Sequence, residues 1–463
     1  MTASAVRVAE RVSSAANDQR LELRPLADVA DILDSRRIPV NSKERDTRVG
    51  SIPYYGATGQ VGWIDGHLFD EELVLLGEDG APFLEPFKAK AYVIRGKSWV
   101  NNHAHVLRAR EVPTGWLAHH LNTISYEGLV TGTTRLKLTQ AAMRQIRVPV
   151  APRPVMERIV SEIETQFSRL DEAVANLKRV KANLKRYRAA VLKAAVEGRL
   201  VPTEADLARR ENRTYETGEQ LLARILDERR AAWEEQTASG RKRKDLEPPL
   251  PDTSSLPTLS EGWAWTRLDA ISALKGGITV DQSRRDPTSR RVPYLRVANV
   301  QRGHLDVAEM KEIDASEEDI KALRLENGDI LFTEGGDRDK LGRGWIWENQ
   351  ITECIHQNHV FRGRLYLKTV SPKFISWWGN SYGQIYFQRE GKQTTNLASI
   401  NLTKLNAFPV PLPPAAEQHR IVAEVERRFS MADKSEAQVD ANLLRAERLR
   451  QAILKRAFEA RLG

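Results

Sequence analysis

A single cysteine, Cys354, stands in the 463 residues. One thiol closes no intrachain disulfide and builds no Cys-rich zinc site, and such scarcity fits a reducing cytoplasm. No apolar run reaches the ~18 residues that a membrane helix needs. The first twenty residues, MTASAVRVAERVSSAANDQR, hold no continuous apolar stretch, and Glu10 and Asp18 count against a transit peptide. They are read as a poorly ordered extension. There is no GxxxxGK[ST] nucleotide loop and no GxGxxG opening a helix. An Asn/Asp-Pro-Pro-aromatic run, such as adenine methyltransferases carry, is also missing; EPPLPD (247–252) is not one. These absences argue against a secreted protein, a membrane protein and a nucleotide-dependent enzyme.

What is present is positive charge and repetition. Net charge is +9 and the sequence pI is near 9.5, which favours a polyanionic partner. Residues 148–201 align without a gap on residues 410–463. Ile159 meets Ile421 and Leu192 meets Leu454, each 262 positions apart. RIVSEIE faces RIVAEVE, FS faces FS, and EGRL faces EARL. A repeat this long is no solenoid unit. It reads as a duplicated module of a globular domain followed by a helix.

Each helix is legible from spacing. After Pro154 no proline occurs until Pro202 and no glycine until Gly198. Apolar residues fall at Ile159, Ile163, Phe167, Leu170, Val174, Leu177, Val180, Leu184, Tyr187 and Val191, mostly in steps of three and four. That predicts a helix over about 154–200, roughly 70 Å long at 1.5 Å per residue. A second runs over about 415–462 with Ile421, Val425, Phe429, Val439, Leu443, Leu449, Ile453 and Ala457 on its seam, interrupted by Glu436. Between the modules, Thr217 and Gln220 suggest a capping box that opens an amphipathic helix. A basic loop, RKRK (241–244), and the Pro-rich strap EPPLPDTSSLPTLSEG follow.

The globular segments alternate strand-like runs with Gly- and Pro-bearing turns. LVLL (73–76), AYVI (91–94) and HVLRA (105–109) belong to the first; VPYLRVANV (292–300) and DILFTE (329–334) to the second. They also match loosely. His105 is set over His359, LGEDG (76–80) over FTEGG (332–336), and GWLAHHLN (115–122) over KFISWWGN (373–380). The drifting offsets suggest one framework with different loops, and loops carry recognition. Two helices of equal length that pair antiparallel would set the two domains at opposite ends of a rod. Such a rod would fix the unread spacer of an asymmetric, two-part DNA site.

Candidate DNA-contacting cations lie in loops of both segments. The first holds Arg36, Arg37, Lys43, Arg45, Arg48, Arg135 and Lys137. The second holds Arg284, Arg285, Arg290 and Arg291, and, in GGDRDKLGRG, Arg338, Lys340 and Arg343. Arg and Lys grip phosphates or read guanine. Taken singly each cluster reads as a solvated loop; taken together, in corresponding domains, they read as an interface. Two other sets are rejected. Asp306, Glu309 and Lys311 could mimic a nuclease site, but EMKEIDASEEDIK reads as a charged face. His103, His105, His119 and His120, or Cys354, His356 and His359, lack a full ligand set with familiar spacing, and no metal is assigned.

The residues carry a resemblance. VPLPPAAEQHRIVAEVERRFS (410–430), VPVAPRPVMERIVSEIETQFS (148–168), LKAAVEGRLV (192–201), LKRAFEARLG (454–463), LSEGW (259–263), VPYLRVANVQRGHLDV (292–307) and GDILFTEGGDRDKLGRG (328–344) resemble the specificity subunit of type I restriction–modification systems. The resemblance implies an α+β fold: two mixed α/β target recognition domains separated by two long antiparallel, coiled-coil-like helices, with a pseudo-twofold internal repeat. It sets an extension at 1–20, recognition domains at 21–150 and 263–410, long helices at 151–202 and 411–463, and a connector at 203–262. It implies a non-catalytic reader of double-stranded DNA in the cytoplasm, docking methyltransferase subunits, two in number, and restriction subunits. S-adenosylmethionine, ATP and Mg would act in those partners, with no cofactor in this chain. Thr133-Thr134 and Thr394-Thr395 fit the family pattern without an assigned role. One departure stands out: the first helix opens with APRPVMER (151–158) where the second has PPAAEQHR (413–420). The alternatives are a recognition subunit whose partner fuses methylase and nuclease, and a coiled-coil scaffold without DNA.

Overall fold

The computed structural model describes residues 21–238, 247–280, 289–393 and 398–459. The expected N-terminal extension and the RKRK loop lie outside them. The fold is mixed α/β, and the chain divides into two compact units. The first comprises Met1–Ala182 with Glu436–Gly463, the second Asn183–Ser435.

In the first unit, one antiparallel sheet runs in the order Ala30–Ile32, Ala104–Ala109, Leu73–Gly77, Ala91–Ile94. Leu73–Gly77 is buried along its whole length, as an uninterrupted apolar run demands. A second sheet runs Gly59–Ile64, Ile52–Gly56, Lys97–Val100, Phe69–Asp70, with the middle pair parallel. A clamp pairs Glu22–Pro25 with Arg147–Val150. The helix Thr114–Leu121 places Trp116, Leu117 and Leu121 in the core. That core is completed by Met156, Ile159 and Ile163 from the opening turns of one long helix and by Leu454, Ala457 and Phe458 from the other.

The second unit repeats the scheme. Ser272–Lys275, Val360–Leu365 and Ile330–Thr333 form one sheet, and Lys311–Ala315, Arg290–Leu295 and Ile355–His356 another. Ala264–Arg267 pairs with Pro409–Leu412 as the clamp. Val191, Ala195 and Val196 join Ile421 and Val425 in its core, together with Leu221 and Ile225 of the connector helix Gly218–Ala238.

The long helices span Arg153–Val196 and Ala415–Glu459. The first stops short of the expected residue 200. Gly198 sits at φ +67, and Arg199 N–H returns to Ala194 O at 2.8 Å, a glycine-based C-terminal cap. Ion pairs show antiparallel pairing of the helices in the first unit and one equivalent contact between them in the second. In the first, Lys181 lies 2.7 Å from Asp440 and Asp171 pairs with Arg450. In the second, Arg188 lies 2.6 Å from Asp433. Asp171 and Asp433, like Arg188 and Arg450, are 262 positions apart, so one ion pair is built twice. The second seam needs a correction: Leu449 is 44% exposed, and Ala446 is buried in the same stretch. Ala432, Val439 and Ala446 recur every seven residues, and an alanine is a weak apolar signal beside a leucine.

The departure at the helix openings has a physical cause. Glu417 is buried; one carboxylate oxygen accepts from Glu204 N–H at 2.7 Å and the other from the Trp263 indole at 2.9 Å. Burial raises its pKa, although those two bonds and Arg420 oppose the shift. Gln418 accepts from Ser371 N–H and donates to Pro413 O, both at 2.8 Å. The connector and an indole need these acceptors. At the corresponding places the first helix has Val155 and Met156, and Met156 lies in the apolar core.

Candidate nucleic-acid interface

In the first unit three guanidinium groups lie on aromatic rings. Arg36 covers Phe69 at 4.7 Å, Arg45 covers Tyr54 at 4.9 Å, and Arg48 covers Trp99 at 4.6 Å. Asn41 caps the helix Ser42–Thr47 by accepting from Glu44 N–H at 2.9 Å, which presents Lys43 to solvent. Arg48 also pairs with Asp65 at 2.7 Å, and Arg36 donates to Leu68 O at 3.0 Å. Arg37 does not belong to this surface. Its guanidinium is largely buried, 2.6 Å from Glu78 and 2.7 Å from Ala104 O, so it holds the frame together.

Arg135 and Lys137 sit at a corner made by Glu78 and Asp79. Arg135 lies 2.7 Å from Asp79, and Lys137 3.1 Å from Glu78. Thr133 and Thr134 are exposed beside them. Beneath lies buried His105, whose Nδ1 is 2.6 Å from Asp34 and whose Nε2 is 3.0 Å from Leu138 O. Burial works to raise the Asp34 pKa, but the bonds from His105 and Val106 N–H and the charge of Arg37 outweigh it and hold it below the ordinary value. Asp34, Glu78 and His105 are close enough to share a metal ion. Each is already engaged, by Gln140 and Val106 on Asp34 and by Arg37 and Lys137 on Glu78.

In the second unit, Arg284 and Arg285 lie outside the described residues, as do Thr394 and Thr395. Arg290 pairs with Glu317 and, at 2.6 Å, with Glu353; Arg291 lies 3.3 Å from Glu312. Lys340 pairs with Asp337. Arg338 is exposed, with one long contact to Gln388 O at 3.5 Å, and Arg343 donates to Val297 O at 3.2 Å.

The two frames differ most beside their second sheets. Ile52–Gly56 turns into Gly59–Ile64 through Ala57 and Thr58. The corresponding strands Arg290–Leu295 and Lys311–Ala315 are joined by residues 296–310. This segment contains a 3-10 turn, Val297–Asn299, and a small hairpin, Val300–Gln301 with His304–Leu305. VPYLRVANV was expected as one strand; the strand ends at Leu295 because the Asn299 side chain accepts from Arg296 N–H at 3.0 Å and donates to Asp306 O at 2.8 Å. Arg302, at the hairpin tip, was missed. Its sequence signal is the QRGH turn, with Gly303 at φ +79.

The match between the frames also needs one correction. Glu78 N–H donates to His103 O at 2.8 Å, and Glu334 N–H to His359 O at 2.9 Å. His359 therefore corresponds to His103, and His105 to Phe361. A slip of two keeps every side chain on its face of the sheet, so alternation alone could not fix it. His120 corresponds to Trp378 as read. His120 Nε2 bonds Arg147 O and Trp378 Nε1 bonds Pro409 O, each at 2.8 Å, on equivalent clamp strands. Burial lowers the pKa of His119, with help from Arg450, and of His120, each to about 4. These two side chains pack as their Trp377-Trp378 counterparts do.

Fold and surface thus define a two-unit, mixed α/β protein whose candidate interface is a set of cation-bearing loops on a repeated frame. No described helix is long and apolar enough to cross a membrane. Residues 19–186 match the type I restriction modification DNA specificity domain. The chain is 37% identical over 145 residues to a type I restriction enzyme specificity subunit of Haemophilus influenzae, covering 31% of this chain and 37% of that one. It is 23% identical over 356 residues to the EcoKI specificity subunit of Escherichia coli, covering 75% of this chain and 66% of that one. The chain thus spans less than two thirds of the length of either relative. A chain from a structure of type I restriction–modification complex assembly shares the fold, with a TM-score of 0.53 and 16% identity over 95% of this chain and 98% of that chain. These likenesses are to specificity subunits of type I restriction–modification systems, by a domain match over residues 19–186 and by more distant similarity over longer stretches.

Proposed function

We propose that this chain is the non-catalytic DNA reader of a type I restriction–modification complex. Each unit reads one half of an asymmetric, two-part duplex site. The paired long helices set the spacer and relate the halves by an internal pseudo-twofold. Two methyltransferase subunits and the restriction subunits dock on the chain and supply S-adenosylmethionine, ATP and Mg chemistry. The reading rests on one observation: a single frame, down to its hydrogen bonds, is built twice with different loops. Arg36, Lys43, Arg135 and Lys137 in the first unit, and Arg290, Arg291 and Arg338 in the second, are the exposed cations among the described members of the expected set and are placed for phosphate or base contact.

Methylated-base sequencing tests this, comparing cells that carry the chain and its methyltransferase with cells that lack only the chain. Methylation at one gapped, asymmetric motif should vanish with the chain. An unchanged map with both proteins expressed would reject the reading.

A further inference from the structure

The segment 296–310 and the basic loop 335–344 are stitched to each other from both sides. Arg302 donates to Asp339 O at 2.8 Å and to Asn380 O at 2.6 Å. Arg343 reaches back to Val297 O at 3.2 Å, and Gly303 N–H donates to Gly344 O at 3.2 Å. Asn380 closes the arrangement with bonds to Gly344 N–H and O at 3.1 and 2.7 Å. The loop is also pinned at its base, where the Thr333 hydroxyl donates to Lys340 O at 2.9 Å. Gly342, at φ +61, passes so close to the Phe387 ring that a Cβ would sit 2.1 Å from it. A glycine-rich basic stretch that reads as a flexible loop is therefore held in one conformation.

Its charge is unusual too. Among the described residues, Arg302, Arg338 and Arg343 have no carboxylate within ion-pair distance, whereas Arg290 has two. Arg302 places two donors on backbone carbonyls and Arg343 one, and burial lowers the pKa of both. Asp337 and Asp339 lie near enough to act on these guanidinium groups without pairing to them; cations that no carboxylate contacts, on a rigid ridge, favour a polyanion, and rigidity lowers the entropy lost on binding it. His304 and Arg338 stand outward from this ridge with polar groups suited to base edges and phosphates, whereas the half-buried Gln301 donates its amide to Ala298 O at 2.6 Å. The first unit has only Ala57 and Thr58 at the equivalent place.

We propose that segments 296–310 and 335–344 form one base-reading ridge specific to the second unit. Arg302, Arg343 and Gln301 are its positioning residues; His304 and Arg338 are its contacts. The inference rests on the DNA-reading function above and assigns one half-site to this ridge.

The test is a selection from a randomised duplex library by the full chain assembled with its methyltransferase subunits, followed by sequencing of the retained duplexes. Wild type should give a two-part motif. Arg302→Ala and Arg302→Lys should both erode one part, lowering discrimination there about tenfold, and leave the other intact. Lysine keeps the charge but cannot span two carbonyls, so restoration by Arg302→Lys would reduce the clasp to simple electrostatics and overturn the proposal. Arg338→Ala, which breaks no short bond, should weaken the same part with unchanged thermal melting. Equal fading of both parts, or an unaltered motif in all three variants, would also overturn it. A wild-type selection without any motif would instead reject the DNA-reading function itself.

Discussion

Glu78 and Glu334 occupy the same corner of two related frames, and their main chains behave alike. Leu138 N–H donates to Glu78 O at 2.7 Å, and Ile400 N–H to Glu334 O at 2.8 Å. Their carboxylates do not behave alike. Glu78 holds Arg37 and Lys137, whereas Glu334 holds His359 at 2.5 Å, and Ser399 stands where Lys137 would be. Backbone bonds and clamp strands carry the frame, so side chains at the corner are free to diverge. Divergence at a fixed corner is what the proposed reading of two different half-sites requires.

The strongest way to break this comparison is at the ends of the long helices. Phe458 packs 4.6 Å from Trp116, and Phe458→Ala should cost about 3–5 kcal/mol. Val196, its counterpart in the second unit, should cost less on truncation, on the order of 1–3 kcal/mol. Hydrogen exchange should show the Phe458 loss in residues 21–182 and the Val196 loss in 183–435; equal loss of protection across both units would break the comparison. Next comes Glu417→Ala, which strands the Glu204 N–H and the Trp263 indole and should cost about 3 kcal/mol. Val155→Ala, at the matching place, should cost about 1 kcal/mol, and thermal or urea melts would measure both.

Acid should separate the units as well. His119 and His120 are held neutral in the first unit with pKa values of about 4, and His356 in the second likewise. The unfolded chain takes up protons near pH 6.5 and the folded one does not. Stability is therefore full above pH 6.5 and falls as pH drops toward 4, by about 2 kcal/mol per histidine at pH 5. The first unit should lose exchange protection before the second between pH 6.5 and 4; the reverse order would show that the neutral imidazoles do not govern acid stability. The smallest effect is expected from Lys137→Ser, which copies the second unit. Stability should change by less than about 1 kcal/mol, while the salt slope of DNA association should fall by about one. Fluorescence anisotropy across a salt series would measure that slope.

The long helices were legible because their apolar spacing is set by local geometry. The capping box was legible for the same reason: Thr217 N–H donates to Gln220 Oε1 at 2.9 Å and Gln220 N–H to Thr217 Oγ1 at 3.3 Å. Strands with strong runs, such as Ala91–Ile94 and Ile330–Thr333, were equally plain. What failed to show depended on distant partners. Arg37 looks like its neighbour Arg36 until Glu78, far along the chain, is brought to it. Arg302 reads as an ordinary turn residue until Asp339 and Asn380 arrive. The end of the strand at Leu295 depends on the Asn299 amide, which no apolar pattern encodes.

The closure of the first core by Leu454, Ala457 and Phe458 bears on biosynthesis. A ribosome releases the sheets of the first unit long before it reaches residue 454. During that interval Trp116, and the face of the sheet around it, lacks its final apolar cover. The sheets of the first unit must therefore wait, partly open, until residues 454–458 have been made. The connector waits too, since Glu204 N–H finds its acceptor only when Glu417 has been made, 213 residues later. A nascent chain of this kind has reason to meet chaperones early.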